Sequence, residues 1–192
     1  MAASTWESIE KNALWALEHA SDLSPRDTLE GMAPQLRLWE YRSEGTYTSW
    51  TILSSPGTDN SGRPKVREVV WERRQDERRQ ASADRKRKLR TNLHSTLRVR
   101  DAEVSSKDLT PFSEAAARLF LPGISAQESV PQGDAYGIEG YRSLSHLRIE
   151  WQGSGPAEWA QTIRWVTRLR DLLRASIKER ETGNPGGRVA PA

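Results

Sequence analysis

QLRLWEYRSEGTYTSWTILS, running from Gln35 to Ser54, is the stretch whose reading decides the fold class. Two runs rich in β-branched and aromatic side chains, Gln35 to Arg42 and Thr46 to Ser54, are separated only by Ser43-Glu44-Gly45. So short a link turns the chain back on itself as an antiparallel hairpin. In the second run Tyr47, Ser49, Thr51 and Leu53 fall on one side of a strand, and Thr48, Trp50 and Ile52 on the other. A third run, Val66 to about Arg74, puts Val69 and Trp71 on a common face and extends the hairpin to a meander. Ser55 to Pro64, between the second and third runs, is almost entirely turn formers and reads as an exposed loop.

Towards the N-terminus, Ser4-Thr5-Trp6-Glu7 has the spacing of a capping box, in which hydroxyl and carboxylate satisfy unpaired N–H groups at a helix start. Trp6, Ile9, Ala13 and Leu17 then share one helical face until Pro25 stops the helix. Towards the C-terminus, Glu72 to Lys88 carries no large apolar side chain, which predicts a solvated arm. Leu89, Leu93 and Leu97 recur every four residues as in a short helix, Arg98 to Val104 alternates like a strand, and Lys107 to Leu121 reads as a helix stopped by Pro122-Gly123. Tyr136 to Tyr141 and Leu144 to Trp151 read as two further strands. Pro156 suits the first turn of a long helix to about Glu179, whose apolar set includes Trp159, Ile163, Trp165, Val166, Leu169, Leu172, Leu173 and Ile177. The expectation is an α+β domain over residues 1–180. Its mostly antiparallel sheet has five to six strands, with the N-terminal, middle and long C-terminal helices on one face. A polar basic arm lies at about 72–88 and a flexible tail at 181–192.

Composition narrows the chemistry. The 192 residues include no cysteine, which excludes a disulfide framework and a thiolate zinc site. No run reaches the roughly 18 apolar residues of a membrane-spanning helix, and the start lacks a signal-peptide pattern, so the expected compartment is the cytoplasm, without membrane contact. Arg outnumbers Lys 23 to 6, as high-GC codon usage produces, and points to a bacterial source. Eight Trp against two Phe predict a core rich in indoles, each burying ~150–250 Å² and each needing a partner for its N–H.

Three groups of residues are candidate sites. Between Trp71 and Arg100 stand 11 Lys and Arg against 4 Asp and Glu, so the net charge of +7 is local in a chain whose total is +3. Arg85, Lys86, Arg87, Lys88 and Arg90 are suited to neutralising phosphates, which gives affinity without sequence readout. The competing reading is a solvated stretch paired within itself, Arg73 with Glu77 and Asp84 with Lys88. His146, Arg148 and Glu150 alternate with Leu147, Ile149 and Trp151, so a strand places all three on one side. An imidazole, a guanidinium and a carboxylate there form a workable phosphodiester-cleaving set, although any amphipathic strand needs a polar face. Trp165, Arg170 and Leu172 lie at the margins of the wide apolar stripe of the last helix and suit a partner surface, unless the fold itself covers them.

The phosphate-binding, nucleophile-elbow and HExxH motifs are absent from the sequence, and His19, His94 and His146 stand far apart, so neither a metal site nor a cofactor is expected. Gly153-Ser154-Gly155 before the last helix reads as a turn and cap. The expectation is a non-catalytic binding or accessory module acting through protein–protein contacts, of an immunity or complex-assembly type. Nucleic-acid binding through 73–100 is the first alternative and phosphodiester cleavage the second.

Overall fold

A computed structural model describes residues 5–23, 29–55, 63–85, 94–116, 133–142 and 145–183. The chain forms helix α1 (Thr5–Glu18), a 3-10 turn (Ala20–Asp22), strands β1 (Ala33–Tyr41), β2 (Thr46–Ser54) and β3 (Lys65–Glu72), helix α2 (Arg73–Arg85), strand β4 (Leu97–Glu103) and helix α3 (Ser106–Ala116). Strands β5 (Ala135–Arg142) and β6 (Ser145–Gln152), a 3-10 turn (Ala157–Trp159) and helix α4 (Ala160–Gly183) complete it. The class is α+β, as expected, with all strands antiparallel in the order β4-β3-β2-β1-β5-β6.

The pleat separates two cores. On one face Leu38, Trp50, Ile52, Val66, Ala102, Ile138, Ile149 and Trp151 meet Trp159, Val166, Leu169, Leu173 and Ile177 of the last helical segment. Each of those aliphatic side chains contributes roughly 1.5–3 kcal/mol on burial. On the other face Val69 and Trp71 meet Ile9, Ala13, Leu17 and Ala20. The helices therefore divide between the two faces instead of sharing one. The reason is visible in β2 and β3, whose central residues are buried on both sides: a sheet with two greasy faces needs two covers.

Two further expectations change. The polar stretch after β3 is a 13-residue helix, not an arm, and its Asp76 is buried. The stretch lacks large apolar side chains, so its anchor is a hydrogen-bonded carboxylate, a contact that hydrophobic periodicity does not reveal. Leu97 opens β4, where Trp71 pairs with it, instead of continuing a leucine helix; residues 89–93 of that expected helix lie outside the described residues. The last helix reaches Gly183, three residues into the expected tail, and Glu181 bonds Arg100 of β4. No helix among the described residues is long and apolar enough to cross a membrane.

Candidate functional site

The polar groups are organised by cross-strand register. Asp101, Arg67, Thr51, Arg37, Glu139 and Arg148 occupy one row across β4, β3, β2, β1, β5 and β6, on the face that α1 covers. Arg67, fully buried, grips Asp101 with two parallel bonds of 2.7 and 2.8 Å and donates to the carbonyls of Ala20 (3.1 Å) and Leu23 (2.7 Å). Arg37 pairs with Glu139 at 2.7 Å and donates to the Leu17 carbonyl at 3.4 Å. The carbonyls at a helix end carry partial negative charge, so two buried guanidiniums clamp the end of α1 and the turn after it onto the sheet. Tyr141 donates to Glu139 at 2.7 Å. Burial, together with that bond, pushes the Tyr141 hydroxyl up to about 12; burial likewise raises Tyr41 to about 12.

The opposite face inverts the signs. Glu40 is buried and accepts from Arg170 and Arg174 of α4, each at 2.9 Å, and from Arg42. Glu68, also buried, accepts from the Trp50 ring N–H at 2.9 Å and from Arg100. Glu40 and Glu68 are both satisfied in place, which is the arrangement a structural pair requires.

Arg148 and Glu150 stand together on β6, Arg148 donating to Glu150 at 2.9 Å through Nε, approaching Glu18 at 3.6 Å and lying over the Trp39 ring at 5.0 Å. The side chain of His146 lies outside the described residues. Both members of the pair are exposed and bound to each other. Among the described residues no cluster of three or more His, Asp or Glu is placed to hold a metal ion.

Trp165, Arg170 and Leu172 are engaged by the fold itself. Trp165 donates its ring N–H to the Phe112 carbonyl at 3.1 Å and meets the Phe112 ring edge-on, so α3 covers that margin of the stripe. Arg170 is held by Glu40 and Asp171, and Leu172 packs against the same core. A cavity of about 160 Å³ remains between α4 and the sheet, lined by Trp50, Tyr136, Trp151, Ile163, Val166 and Arg170 among others.

An exposed cationic surface lies on α2. Asp76 points inwards and accepts from the Trp71 ring N–H (2.9 Å), the Thr96 amide (2.7 Å) and Arg79 (2.9 Å). Arg73 fastens the same side to Glu10 of α1 at 3.1 Å, and the expected Arg73–Glu77 pair forms at 3.0 Å. Arg74, Arg78 and Arg79 are thereby turned outwards, lining with Glu44, Glu72, Gln75 and Ser82 an open groove of about 490 Å³. Arg74 is braced over Gly45 by a 3.0 Å bond to the Ser43 carbonyl; a side chain at Gly45, whose φ is +96°, would strike it. Arg78 has no hydrogen-bond or ion-pair partner among the described residues. The backbone of Arg85 belongs to α2, but its side chain, like Lys86, Arg87, Lys88 and Arg90, lies outside the described residues, as does Asp84–Lys88 pairing.

Sequence reasoning missed Asp76, the buried Arg37 and Arg67, and Glu40. One signal was available for the first: an indole N–H at Trp71 needs an acceptor, and Asp76 stands five residues on. No protein-family model, no curated protein and no solved structure matches the chain.

Proposed function

We propose that the chain is a non-catalytic binding module whose working surface is the outward face of α2, and that its ligand is the phosphate backbone of a nucleic acid. One observation carries this reading: Arg74, Arg78 and Arg79 project from a helix whose inner side is fixed by Asp76, and in the sequence that helix is followed directly by Lys86-Arg87-Lys88-Leu89-Arg90. Three outward guanidiniums, followed in sequence by Lys86, Arg87, Lys88 and Arg90, supply cations suited to successive phosphates, and the planar fork of Arg suits phosphate oxygens. Aromatic side chains for stacking on bases are absent from Glu72 to Arg90, so the reading is of affinity without sequence discrimination. The reading also draws on the engagement of Trp165, Arg170 and Leu172 inside the fold, which favours another working surface over the one those residues suggested.

The test is fluorescence anisotropy with duplex DNA and with RNA over a salt series. Seven phosphate contacts predict a log–log salt slope near −6, and Arg74→Ala with Arg78→Ala should lower its magnitude by about 2 without melting the fold. No binding at low salt overturns the proposal and returns the weight to protein–protein contacts.

A further inference from the structure

We propose that β6 is a self-association edge: it pairs antiparallel with β6 of a second copy, Ile149 opposite Ile149 of the second copy, joining two six-stranded sheets into one. The two edges of this sheet are finished differently. β4 is dressed with charge, Arg100 bonding Glu181, Arg180 bonding the Asp101 carbonyl, Arg63 bonding Glu103 and Arg98 bonding Glu72. That is how a lone edge is kept from pairing. On β6, Leu147 is 49 % exposed, one of only two large apolar side chains so placed among the described residues. It stands in register with Gly140, which offers it no side chain to pack against. Among the described residues, nothing pairs with the outer side of β6.

Charge then selects the occupant and the register. Arg148 and Glu150 are two apart on one face of the strand, flanking Ile149. A two-fold axis at Ile149 sets Arg148 opposite Glu150 of the second copy and Glu150 opposite Arg148 of the second copy, two complementary pairs from one strand. The same register brings Leu147 opposite Trp151 of the second copy on the α4 side, covering its exposed surface. Moving the axis one residue either way puts Arg148 or Glu150 opposite itself, so like charges reject the neighbouring registers. A strand that is self-complementary in one register and self-repelling in the next ones is fitted to a copy of itself.

Sedimentation equilibrium of the full chain, freed of nucleic acid, tests this. The parent is expected to be a dimer. Arg148→Glu alone faces carboxylate with carboxylate, Glu150→Arg alone faces guanidinium with guanidinium, and each is expected to be monomeric. Mixed one to one, the two variants regain opposite charges in both pairs and are expected to form a heterodimer. Loss of the internal Arg148–Glu150 pair cannot produce that recovery. Leu147→Lys, which leaves both charges in place, is a second route to a monomer, and circular dichroism confirms that each variant is folded. A monomeric parent, single variants that remain dimers, or a mixture that remains monomeric overturns the proposal. Because α2 is untouched, none of these outcomes bears on nucleic-acid affinity.

Discussion

Replacing Asp76 by Ala removes the acceptor shared by the Trp71 ring N–H, the Thr96 amide and Arg79. Trp71 has no exposed surface, so its N–H finds no water in exchange. A donor left unpaired in the interior costs roughly 1–3 kcal/mol, and the half-buried Thr96 amide adds up to a similar share. Arg79 is 42 % exposed and regains water, so its share stays under about 1 kcal/mol. The total of about 3–5 kcal/mol falls in the range for stripping one partner from a buried charged contact. At roughly 2–4 °C per kcal/mol for a domain of this size, Tm should fall by about 6–20 °C. Asp76→Asn separates geometry from charge. Trp71 and Thr96 both bond Oδ2, whereas Arg79 bonds Oδ1, so an amide oxygen at the Oδ2 position keeps both interior bonds and gives up only the arginine. Its cost should be about 1 kcal/mol. Thermal unfolding by circular dichroism gives both Tm values, and amide exchange at Thr96 reports the local bond. Equal losses for Asn and Ala, or an Ala variant within about 1 °C of the parent, refute the reasoning.

Arg67→Met keeps the aliphatic stem but abandons Asp101 and the carbonyls of Ala20 and Leu23, and should cost about 3–5 kcal/mol in urea unfolding. Arg63→Met, which breaks an exposed pair with Glu103, should cost under about 1 kcal/mol, and similar losses for the two would show that burial is not what matters. Gly137→Ala puts a methyl group into the Trp39 ring that crosses this glycine, so overpacking should cost about 1–3 kcal/mol, with a changed near-ultraviolet spectrum as the sign that Trp39 has moved. Tyr41 and Tyr141, raised to about 12, are held neutral by the fold. Their contribution is therefore intact below the ordinary tyrosine value near 10 and is lost as pH rises towards 12. Absorbance at alkaline pH should show Tyr41 and Tyr141 ionising late in the folded chain, and their ionisation near 10 would contradict the packing.

What could be read in advance followed the physics of local signals. The hairpin of Gln35 to Ser54, the alternation in Leu144 to Trp151 and the wide stripe of α4 are periodic and sit in short-linked blocks, so fold class emerged from pattern alone. The Arg73–Glu77 pair, one helical turn apart, was legible for the same reason. The row from Asp101 to Arg148 was not. Its members come from six strands spread over the chain, and each looks like an ordinary surface charge until register sets it beside its partner. The division of the helices between two faces was hidden similarly, because a strand buried on both sides carries no alternation to announce it.

The amino-acid order alone therefore determined the class of fold, the strand and helix sites other than α2 and the start of β4, and the local excess of positive charge, since these depend on residues within a few positions of one another. Tertiary structure alone decided which charges are inside. Arg37, Arg67, Glu40 and Asp76 are buried because partners distant in sequence meet them there, and Arg74, Arg78 and Arg79 face water because Asp76 holds the other side of their helix inwards. A charge enters the interior only where opposite charge or fixed dipoles replace the water it leaves, and that replacement exists only after the strands have paired.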